Sequence, residues 1–400
     1  MINPSLALLA SIAGILILLR LKVHPGLAIF AGSLVVSLVL LPLRSTPTLM
    51  WEALKDYETL RLLVIIASAL TLSRLMDEKG LLTRLATAME RVSPKLALHF
   101  VPAVIGLVPM PAGALISATA ARGLVTRLGL TPEQSTFINY WFRHIWENFM
   151  PVYPAVIATS VILAVPLSSV IATMSPMTGL SVIGGGIISY TVLRKIPGTR
   201  AKLSWDVVYE FVKGAWPILL IIAAVLLGLD AIIAFPLMMV LLAWQQKARW
   251  PELRKALRAG VDVKILFLLY SVMLYKTVIE ASGTAQSLFS DMQNIGFPTL
   301  VILAVLPFLI SFAAGLSMAF VGVAFPLLVP FIVQGAGFNG PALFLAYASG
   351  MVGMLLSPLH LCLVLSAAYF EATLSRVYRY LVPPVVAIEA IAVLVYWIAG

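Results

Sequence analysis

The stretch NYWFRHIWENFMPVYP, residues 139–154, places four polar side chains just before two prolines in a strongly apolar chain. The polar residues are Arg143, His144, Glu147 and Asn148. Charged residues make up 11% of the chain and hydrophobic residues 61%, so the cluster is costly unless its members find partners or a ligand. Proline interrupts a helix because it lacks an N–H and clashes with the preceding turn. The stretch therefore predicts a helix that breaks beside a functional site.

The composition predicts a membrane protein with many spans. Mean hydropathy is +1.02 over 400 residues, and no water-soluble fold hides so much apolar surface behind so few charges. Alternating segments of about ten residues are absent, so helices are expected to cross the membrane. The formal charge is +10, but the cations lie in short loops, which argues against a nucleic-acid partner. The single cysteine, Cys362, lies in an apolar run and is predicted to be a small buried packing residue.

The second half of the chain matches the first after a shift of about 203 to 209 residues. GLVPMPAG (106–113) aligns with GLSMAFVG (315–322). Other matching residues are Ala53 with Ala256, Tyr140 with Tyr347, and Pro151 with Pro358. Shared glycines and prolines at a nearly constant spacing indicate a duplication. We therefore divide the chain into a first repeat, 1–200, and a second repeat, 201–400.

The predicted fold class is an all-α polytopic membrane protein with two inverted repeats, each of five transmembrane helices and one re-entrant hairpin. In the first repeat the predicted elements are spans near 5–19, 26–43 and 60–77, an amphipathic segment at 80–93, a hairpin at 97–125, a broken helix at 133–165 and a span at 168–193. In the second repeat they are spans near 207–226, 228–246 and 261–280, an amphipathic segment at 283–294, a hairpin at 297–331, a broken helix at 341–372 and a span at 380–399. The amphipathic segment at 80–93 is expected to lie along the membrane interface.

The distribution of Lys and Arg predicts the orientation in the membrane. An odd number of spans per repeat inverts the second copy relative to the first. If the N-terminus is outside, only Arg44, Lys55 and Arg61 fall on the outer side, as the positive-inside rule requires. We expect a multi-pass protein of the cytoplasmic (inner) membrane with both termini extracytoplasmic.

Interrupted helices survive in lipid only where the freed backbone faces protein, water or a ligand. The four interruptions are therefore the candidate substrate site, as in secondary transporters. The predicted substrate-binding residues are Pro109, Pro111, Ala112, Gly113, Arg143, Asn148, Pro151, Gly315, Ser317, Gly322, Ser357 and Pro358. His144, Glu147 and His360 are the predicted coupling residues for a proton or another ion. We predict no catalytic residues and no metal ligands.

Two interpretations of Arg143 remain open. A buried guanidinium binds a carboxylate ligand well, but Arg143 and Glu147 are four residues apart and can pair on one helix face. They can also do both, pairing when the site is empty and separating when substrate arrives. Lys276 and Glu280 have the same spacing near the end of a span and are predicted to form a structural pair.

The segments PMPAGALISA and NYWFRHIWENFMPVYP resemble the membrane family called domain of unknown function four hundred and one, within the ion transporter superfamily. The resemblance covers essentially the whole chain. It implies a homodimer in which a transport domain slides against a scaffold domain as an elevator, with substrate held between hairpin tips and broken helices. The Ser-Asn-Thr hairpin motif of sodium-coupled dicarboxylate carriers is missing, so the resemblance does not extend to sodium coupling or dicarboxylate specificity.

The leading hypothesis is a secondary active transporter that moves a small organic anion, driven by a proton or sodium gradient. No nucleotide-binding GxxxxGK[ST] motif is present, and no cofactor is expected beyond a coupling sodium ion or proton. A cation/proton antiporter is the alternative within the same class. A remote alternative is an intramembrane metalloenzyme, since HIWE supplies a His-x-x-Glu spacing that His360 would complete.

Overall fold

The computed structural model describes residues 3–85, 93–107, 109, 113–194, 204–335 and 337–400. Within the described residues, the helices of the first half are Pro4–Arg20, Pro25–Leu40, Ser45–Lys55, Tyr57–Glu78, Pro94–Gly106, Gly113–Leu128, Pro132–His144, Pro154–Leu163 and Leu167–Leu193. Those in the second half are Trp205–Leu226, Ala231–Gln245, Trp250–Gly260, Val263–Ser282, Thr284–Asn294, Thr299–Ala314, Ser317–Ile332, Gly340–Leu356, Leu361–Phe370 and Leu374–Ala399. A two-residue strand pair, Val333–Gln334 with Gly337–Phe338, is a small exception to the all-α prediction.

Several of these helices can cross a membrane. Within the described residues, six helical segments are long and apolar enough to do so. They are Tyr57–Glu78, Leu167–Leu193, Trp205–Leu226, Val263–Ser282, Gly340–Phe370 and Leu374–Ala399. The prediction of a nearly all-helical, multi-pass membrane protein is confirmed.

The predicted spans lie close to observed helices, with two differences. Two short helices that the sequence interpretation omits, Ser45–Lys55 and Trp250–Gly260, precede the third long helix of each half. The final helix begins at Leu374 rather than at 380. At the start of the amphipathic segment Leu81, Leu82 and Leu85 are buried against protein while Thr83 and Arg84 are exposed. Its position along the membrane interface stays a prediction, and residues 86–92 of the segment lie outside the described residues.

Both predicted broken helices are interrupted near the predicted prolines. The first consists of the arms Pro132–His144 and Pro154–Leu163, and the second of Gly340–Leu356 and Leu361–Phe370. We call these the first and second broken helix. Capping residues define the ends of these arms. Thr131 and Asn339 cap the first arms, because their side-chain oxygens accept hydrogen bonds from Gln134 N (3.3 Å) and Ala342 N (2.9 Å). Ala164 and Glu371 end the second arms in the left-handed conformation, at φ 54° and 60°.

Each broken helix is preceded by a pair of packed helices. Pro94–Gly106 with Gly113–Leu128 is called the first hairpin, and Thr299–Ala314 with Ser317–Ile332 the second hairpin. The second arm of each broken helix packs against the hairpin of the other half: Leu361–Phe370 lies on Gly113–Leu128, and Pro154–Leu163 lies on Ser317–Ile332. Hairpins and broken helices from both halves therefore meet at the centre of the protein.

Ion pairs join the remaining helices at one end of the molecule. Lys79 Nζ lies 2.6 Å from Glu252 Oε2, and Lys255 Nζ lies 2.9 Å from Glu78 Oε1. The hydrogen bond from Lys79 holds the pKa of the Glu252 carboxyl below its usual value. These contacts tie the third long helix of the first half to a short helix of the second.

Candidate functional site

Two histidines meet where the broken helices cross. His144 ends the first arm of the first broken helix, and His360 immediately precedes the second arm of the second. Their Nε2 atoms lie 3.0 Å apart, and the two residues are only 2% and 6% exposed. Two predicted coupling residues are thus in contact although 216 positions separate them in the chain.

The hydrogen bond made by Nδ1 of each histidine determines which ring nitrogen carries the hydrogen. Nδ1 of His144 lies 2.6 Å from the carbonyl oxygen of Tyr140, and Nδ1 of His360 lies 2.6 Å from that of Gly315. A carbonyl oxygen only accepts, so each Nδ1 carries a hydrogen and donates it. In two neutral rings both Nε2 atoms would then present lone pairs to each other, which is repulsive. Such a pair can hold one positive ion between the rings, either a proton or a metal ion.

Two further side chains lie beside the histidines. The donor atoms of His144, His360 and Cys362 all lie within 4.8 Å of one another, and imidazole with thiolate is a donor set that soft transition metals favour. Glu147 Oε1 lies 3.9 Å from His144 Nε2, but Glu147 is not part of that three-residue group. Cys362, predicted as a packing residue, therefore lies beside the two histidines, a position that the sequence did not indicate.

Arg143 contacts the end of the first hairpin. Its Nη1 lies 3.4 Å from the carbonyl oxygen of Ile105, and the side chain is buried. Trp146 Nε1 donates to Ala103 O at 2.8 Å, and the Tyr153 hydroxyl donates to Gly106 O. The carbonyls at a helix C-terminus carry partial negative charge, so a guanidinium is well placed there. The first broken helix thus satisfies three carbonyls at the end of the first hairpin's leading helix.

The second half repeats this arrangement with other side chains. Ser357 Oγ donates to Phe312 O at 2.6 Å, and His360 Nδ1 donates to Gly315 O. Tyr153 and His360 both stand two residues after the break prolines, so they occupy equivalent positions in the sequence alignment. Each uses its side chain to hold the glycine carbonyl at the end of a leading hairpin helix.

Glycine is required where the hairpins touch the broken helices. A Cβ on Gly106 would lie 2.0 Å from the carbonyl oxygen of Arg143. A Cβ on Gly315 would lie 2.7 Å from the backbone nitrogen of His360, and Gly315 also has φ +64°. These two glycines let the hairpin backbones approach the broken helices closely enough for the hydrogen bonds described above.

Two tyrosines brace the breaks from opposite halves. The Tyr140 hydroxyl donates to Leu355 O at 3.1 Å, and the Tyr347 hydroxyl donates to Glu147 O at 3.0 Å. Both tyrosines are fully buried and lie on the first arms. Each therefore satisfies a carbonyl next to the break of the other broken helix, which a helix interruption would otherwise leave without a partner.

Asn148 bonds to the neighbouring long helix. Its Nδ2 lies 3.0 Å from Ile145 O, 3.5 Å from Thr178 Oγ1 and 3.3 Å from Ser181 Oγ. Thr178 Oγ1 itself donates to Ile145 O at 2.7 Å. Asn148 and Thr178 together hold the freed backbone of the first break against Leu167–Leu193.

The other predicted substrate-binding residues lie in varied surroundings. Pro151 and Gly113 are buried, whereas Pro109 is half-buried and Pro358 exposed. Ser317 is half-buried at the start of the second hairpin's trailing helix. A Cβ on Gly322 would lie 2.3 Å from Val272 Cγ2, so Gly322 serves helix packing. Pro111 and Ala112 lie outside the described residues.

Sequence reasoning missed Cys362, Tyr153 and the bracing role of Tyr140 and Tyr347. The alignment of the two halves contains a signal for the tyrosines, because Tyr140 aligns with Tyr347 and a buried hydroxyl in lipid needs a partner. Cys362 stands two residues after His360, and only the chain's path around the break brings its thiol toward His144. The predicted structural pair is present, with Lys276 Nζ 3.5 Å from Glu280 Oε1.

Comparison with solved structures identifies the class of fold. The chain resembles the Alcanivorax borkumensis YdaH transporter, whose crystal structure is described as revealing an unusual topology. The TM-score is 0.64 at 12% sequence identity, over 99% of this chain and 98% of that one. At this identity the likeness establishes the fold alone: a helical membrane fold that a transporter uses.

The sequence itself identifies the family. No curated protein sequence matches the chain. Residues 2–399 match the family described as "Protein of unknown function (DUF401)", and the chain belongs to that family. The family predicted from the two motifs is thereby confirmed, while membership of the ion transporter superfamily stays a prediction.

Proposed function

We propose that the chain is a secondary active transporter that moves a small organic anion across the membrane together with a proton. The observation that carries the proposal is the pair of buried Nε2 atoms, 3.0 Å apart, on two rings whose Nδ1 atoms both donate to carbonyls. Such a pair binds one proton in the space between the rings. The transporter fold of the YdaH structure supports the class.

The charges of the cluster link the proton to an anion. The ionisable groups there are Arg143, His144, Glu147, His360 and Cys362, with Tyr140, Tyr153 and Tyr347 around them. With Arg143 and Glu147 ionised and the thiol neutral, the formal charges cancel. A proton between the imidazoles then gives the site one positive charge, which an anion neutralises in a medium where unpaired charge is costly. Anion and proton therefore favour each other's binding, and that is the requirement for symport.

The donor atoms favour a proton over sodium as the coupling ion. Hard cations bind oxygen ligands, whereas the facing atoms here are imidazole nitrogens. Of the two gradients left open by the sequence, the proton gradient therefore fits this cluster better. The substrate contacts proposed are Arg143 and Asn148 with the backbone at the hairpin tips, including Pro109, Gly113, Gly315 and Ser317.

An elevator movement of two inverted repeats, in a homodimer, is proposed as the mechanism. The order of helices in the first half matches that in the second, and the two broken helices end in equivalent left-handed residues, Ala164 and Glu371. Equivalent contacts from Tyr153 and His360 to hairpin glycines support the duplication further. Sites formed by broken helices of two repeats are typical of secondary transporters.

Proton flux in vesicles tests the proposal. Purified protein is reconstituted in proteoliposomes that contain a pH-sensitive dye, and inward gradients of succinate, citrate, glutamate or gluconate are imposed. We expect anion-dependent acidification with the wild type and its loss in His144→Gln and His360→Gln. His99→Gln is the matched control, because His99 is also buried but bonds to Ser189 and Lys95 O, away from the cluster.

Two outcomes would overturn the proposal. One is acidification that persists undiminished in both cluster variants. The other is calorimetric binding of Zn²⁺ to the wild type that disappears in Cys362→Ser, without any anion-dependent proton movement. The second result would make the pair a metal site.

A further inference from the structure

A carboxyl group lies in the last long apolar helix, outside the cluster of His144, His360 and Cys362. Glu389 is the only acidic residue of Leu374–Ala399, and it stands near the middle of that helix. It borders a groove of about 470 Å³ between this helix, Thr299–Ala314 and Gly340–Leu356. The other groove residues are all apolar and include Val305, Phe308, Val352, Val385 and Val393.

The two carboxyl oxygens of Glu389 differ in their surroundings. Ser349 Oγ donates to Oε1 at 2.7 Å. Oε2 is buried and has no hydrogen-bond partner among the described residues. An ionised carboxylate with one oxygen in this position would lose its hydration without compensation.

No cation faces this carboxyl from the helices packed around it. Thr299–Ala314, Gly340–Leu356 and Leu167–Leu193 contain no charged residue. Their tyrosines point elsewhere, since Tyr347 bonds to Glu147 O and Tyr190 is 67% exposed.

The charged residues of the other neighbouring helices, and those of the last helix itself, lie away from Glu389 or have other partners. Glu133 of Pro132–His144 lies 4.0 Å from Arg376, at the start of the last helix. Arg143 and His144 belong to the central cluster. Arg379 stands ten positions before Glu389, about 15 Å along a helix. Among the described residues, the carboxyl therefore has no nearby countercharge.

We infer that Glu389 is a second proton-binding site of the protein, separate from the histidine pair. In the packed state the carboxyl is protonated: Oε1 accepts from Ser349 and Oε2 carries the proton. Loss of that proton would leave a negative charge in an apolar groove, which becomes tolerable only when the groove opens to water. Proton release at Glu389 is thereby linked to separation of the last helix from the second broken helix.

The position of Ser349 connects this group to the central cluster. Ser349 lies two residues after Tyr347, whose hydroxyl holds the carbonyl of Glu147 beside the histidines. Movement of this arm on proton release would therefore change the support of the first break. The corresponding groove of the first half, about 570 Å³, also contains a titratable side chain bonded to a serine, with His99 Nε2 2.7 Å from Ser189 Oγ.

Carbodiimide labelling tests the inference directly. Dicyclohexylcarbodiimide is an apolar reagent that reacts with protonated carboxyl groups: the O–H adds across a C=N bond, and the adduct rearranges to a stable N-acylurea without losing any atom. The full-length protein in lipid vesicles is treated at neutral pH, digested, and mapped by mass spectrometry. We expect the adduct on Glu389, with a yield that falls as the pH is raised.

Matched variants and a second reagent decide the outcome. Glu389→Gln should lose this adduct, while Ser349→Ala should keep it, because the apolar groove remains. A water-soluble carbodiimide with an amine should modify the exposed Glu371 and spare Glu389. An unlabelled Glu389 in folded wild type, or equal modification of Glu389 and Glu371 by the water-soluble reagent, would overturn the inference. The assay requires no transport, so its failure is distinguishable from failure of the proposed function.

Discussion

The Nε2 atoms of His144 and His360 face each other because each ring is fixed by a carbonyl on its opposite side. Neither ring can turn without giving up a hydrogen bond inside an apolar interior, which costs about 1–3 kcal/mol for the group left unpaired. Under the proposed function, the pair changes its charge by binding or releasing one proton between the two Nε2 atoms.

Replacement of Arg143 tests its role in the site. Arg143→Ala removes the positive charge that balances Glu147 and also the contact with Ile105 O, so we expect uptake of radiolabelled carboxylate into proteoliposomes to fall at least about tenfold, a change of about 1.4 kcal/mol. Lys276→Ala removes a cation of a peripheral pair with Glu280 and should retain most of the uptake. Equal losses in the two variants would contradict a role for Arg143 in the site.

The residues of the site could be found from the sequence only in part. Arg143, His144 and Glu147 stand out because charge is rare in this chain and a proline break follows them. The contact between His144 and His360 could not be predicted, since it depends on how two halves cross. The position of Cys362 could not be predicted for the same reason, since a lone cysteine in an apolar run gives no sign of the imidazoles that the chain's path places beside it.

The broken helices are stable in lipid because the backbone groups they free form hydrogen bonds with side chains of other elements. Tyr140 and Tyr347 each serve the break of the other broken helix. Trp146, Tyr153 and Ser357 serve the ends of the leading hairpin helices. Interruptions in lipid are tolerated under this condition, so these side chains are part of the fold as well as of the site.

Removing a bracing hydroxyl should therefore cost stability. We expect Tyr140→Phe and Tyr347→Phe each to destabilise the protein by about 1–3 kcal/mol, because a buried carbonyl loses its donor. Thermal unfolding in detergent, followed by a thiol-independent dye or by light scattering, measures the effect. Tyr190→Phe is the control, since this tyrosine is 67% exposed; a fall in melting temperature as large as that of the bracing variants would argue against the proposed role.

The elements themselves were predicted well where composition determines them. Long apolar runs became helices, and proline marked both breaks within a few residues. Ser45–Lys55 and Trp250–Gly260 were missed because they are short and polar, and their positions depend on packing against longer helices. Only Leu81, Leu82 and Leu85 of the first amphipathic segment's apolar side can be followed, and they pack into the protein core.

The distribution of Lys and Arg predicts how the whole molecule is oriented in the membrane. Few cations fall on the side predicted to be outside, and the two halves have the same order of elements. A second half inserted upside down would place the N-terminus and the C-terminus on the same side. The orientation with both termini outside is therefore a prediction from the sequence.

Reporter fusions check this orientation. Alkaline phosphatase, which is active outside the cytoplasm, should be active when fused to either terminus, and green fluorescent protein fused there should be dark when exported unfolded. A fusion in the loop after Leu193, on the predicted cytoplasmic side, should give the opposite pattern. Activity at one terminus only would contradict an inverted repeat with an odd number of spans.

The chain contains one thiol, and it belongs to Cys362 beside the two imidazoles. The wild-type protein can therefore be labelled at a single position with a maleimide or a mercurial, and no other cysteine has to be removed by mutagenesis. The labelling rate, measured with the reagent on either side of a sealed vesicle, would report when the centre of the molecule opens and toward which compartment. The rate can be compared as the pH and the solutes are varied.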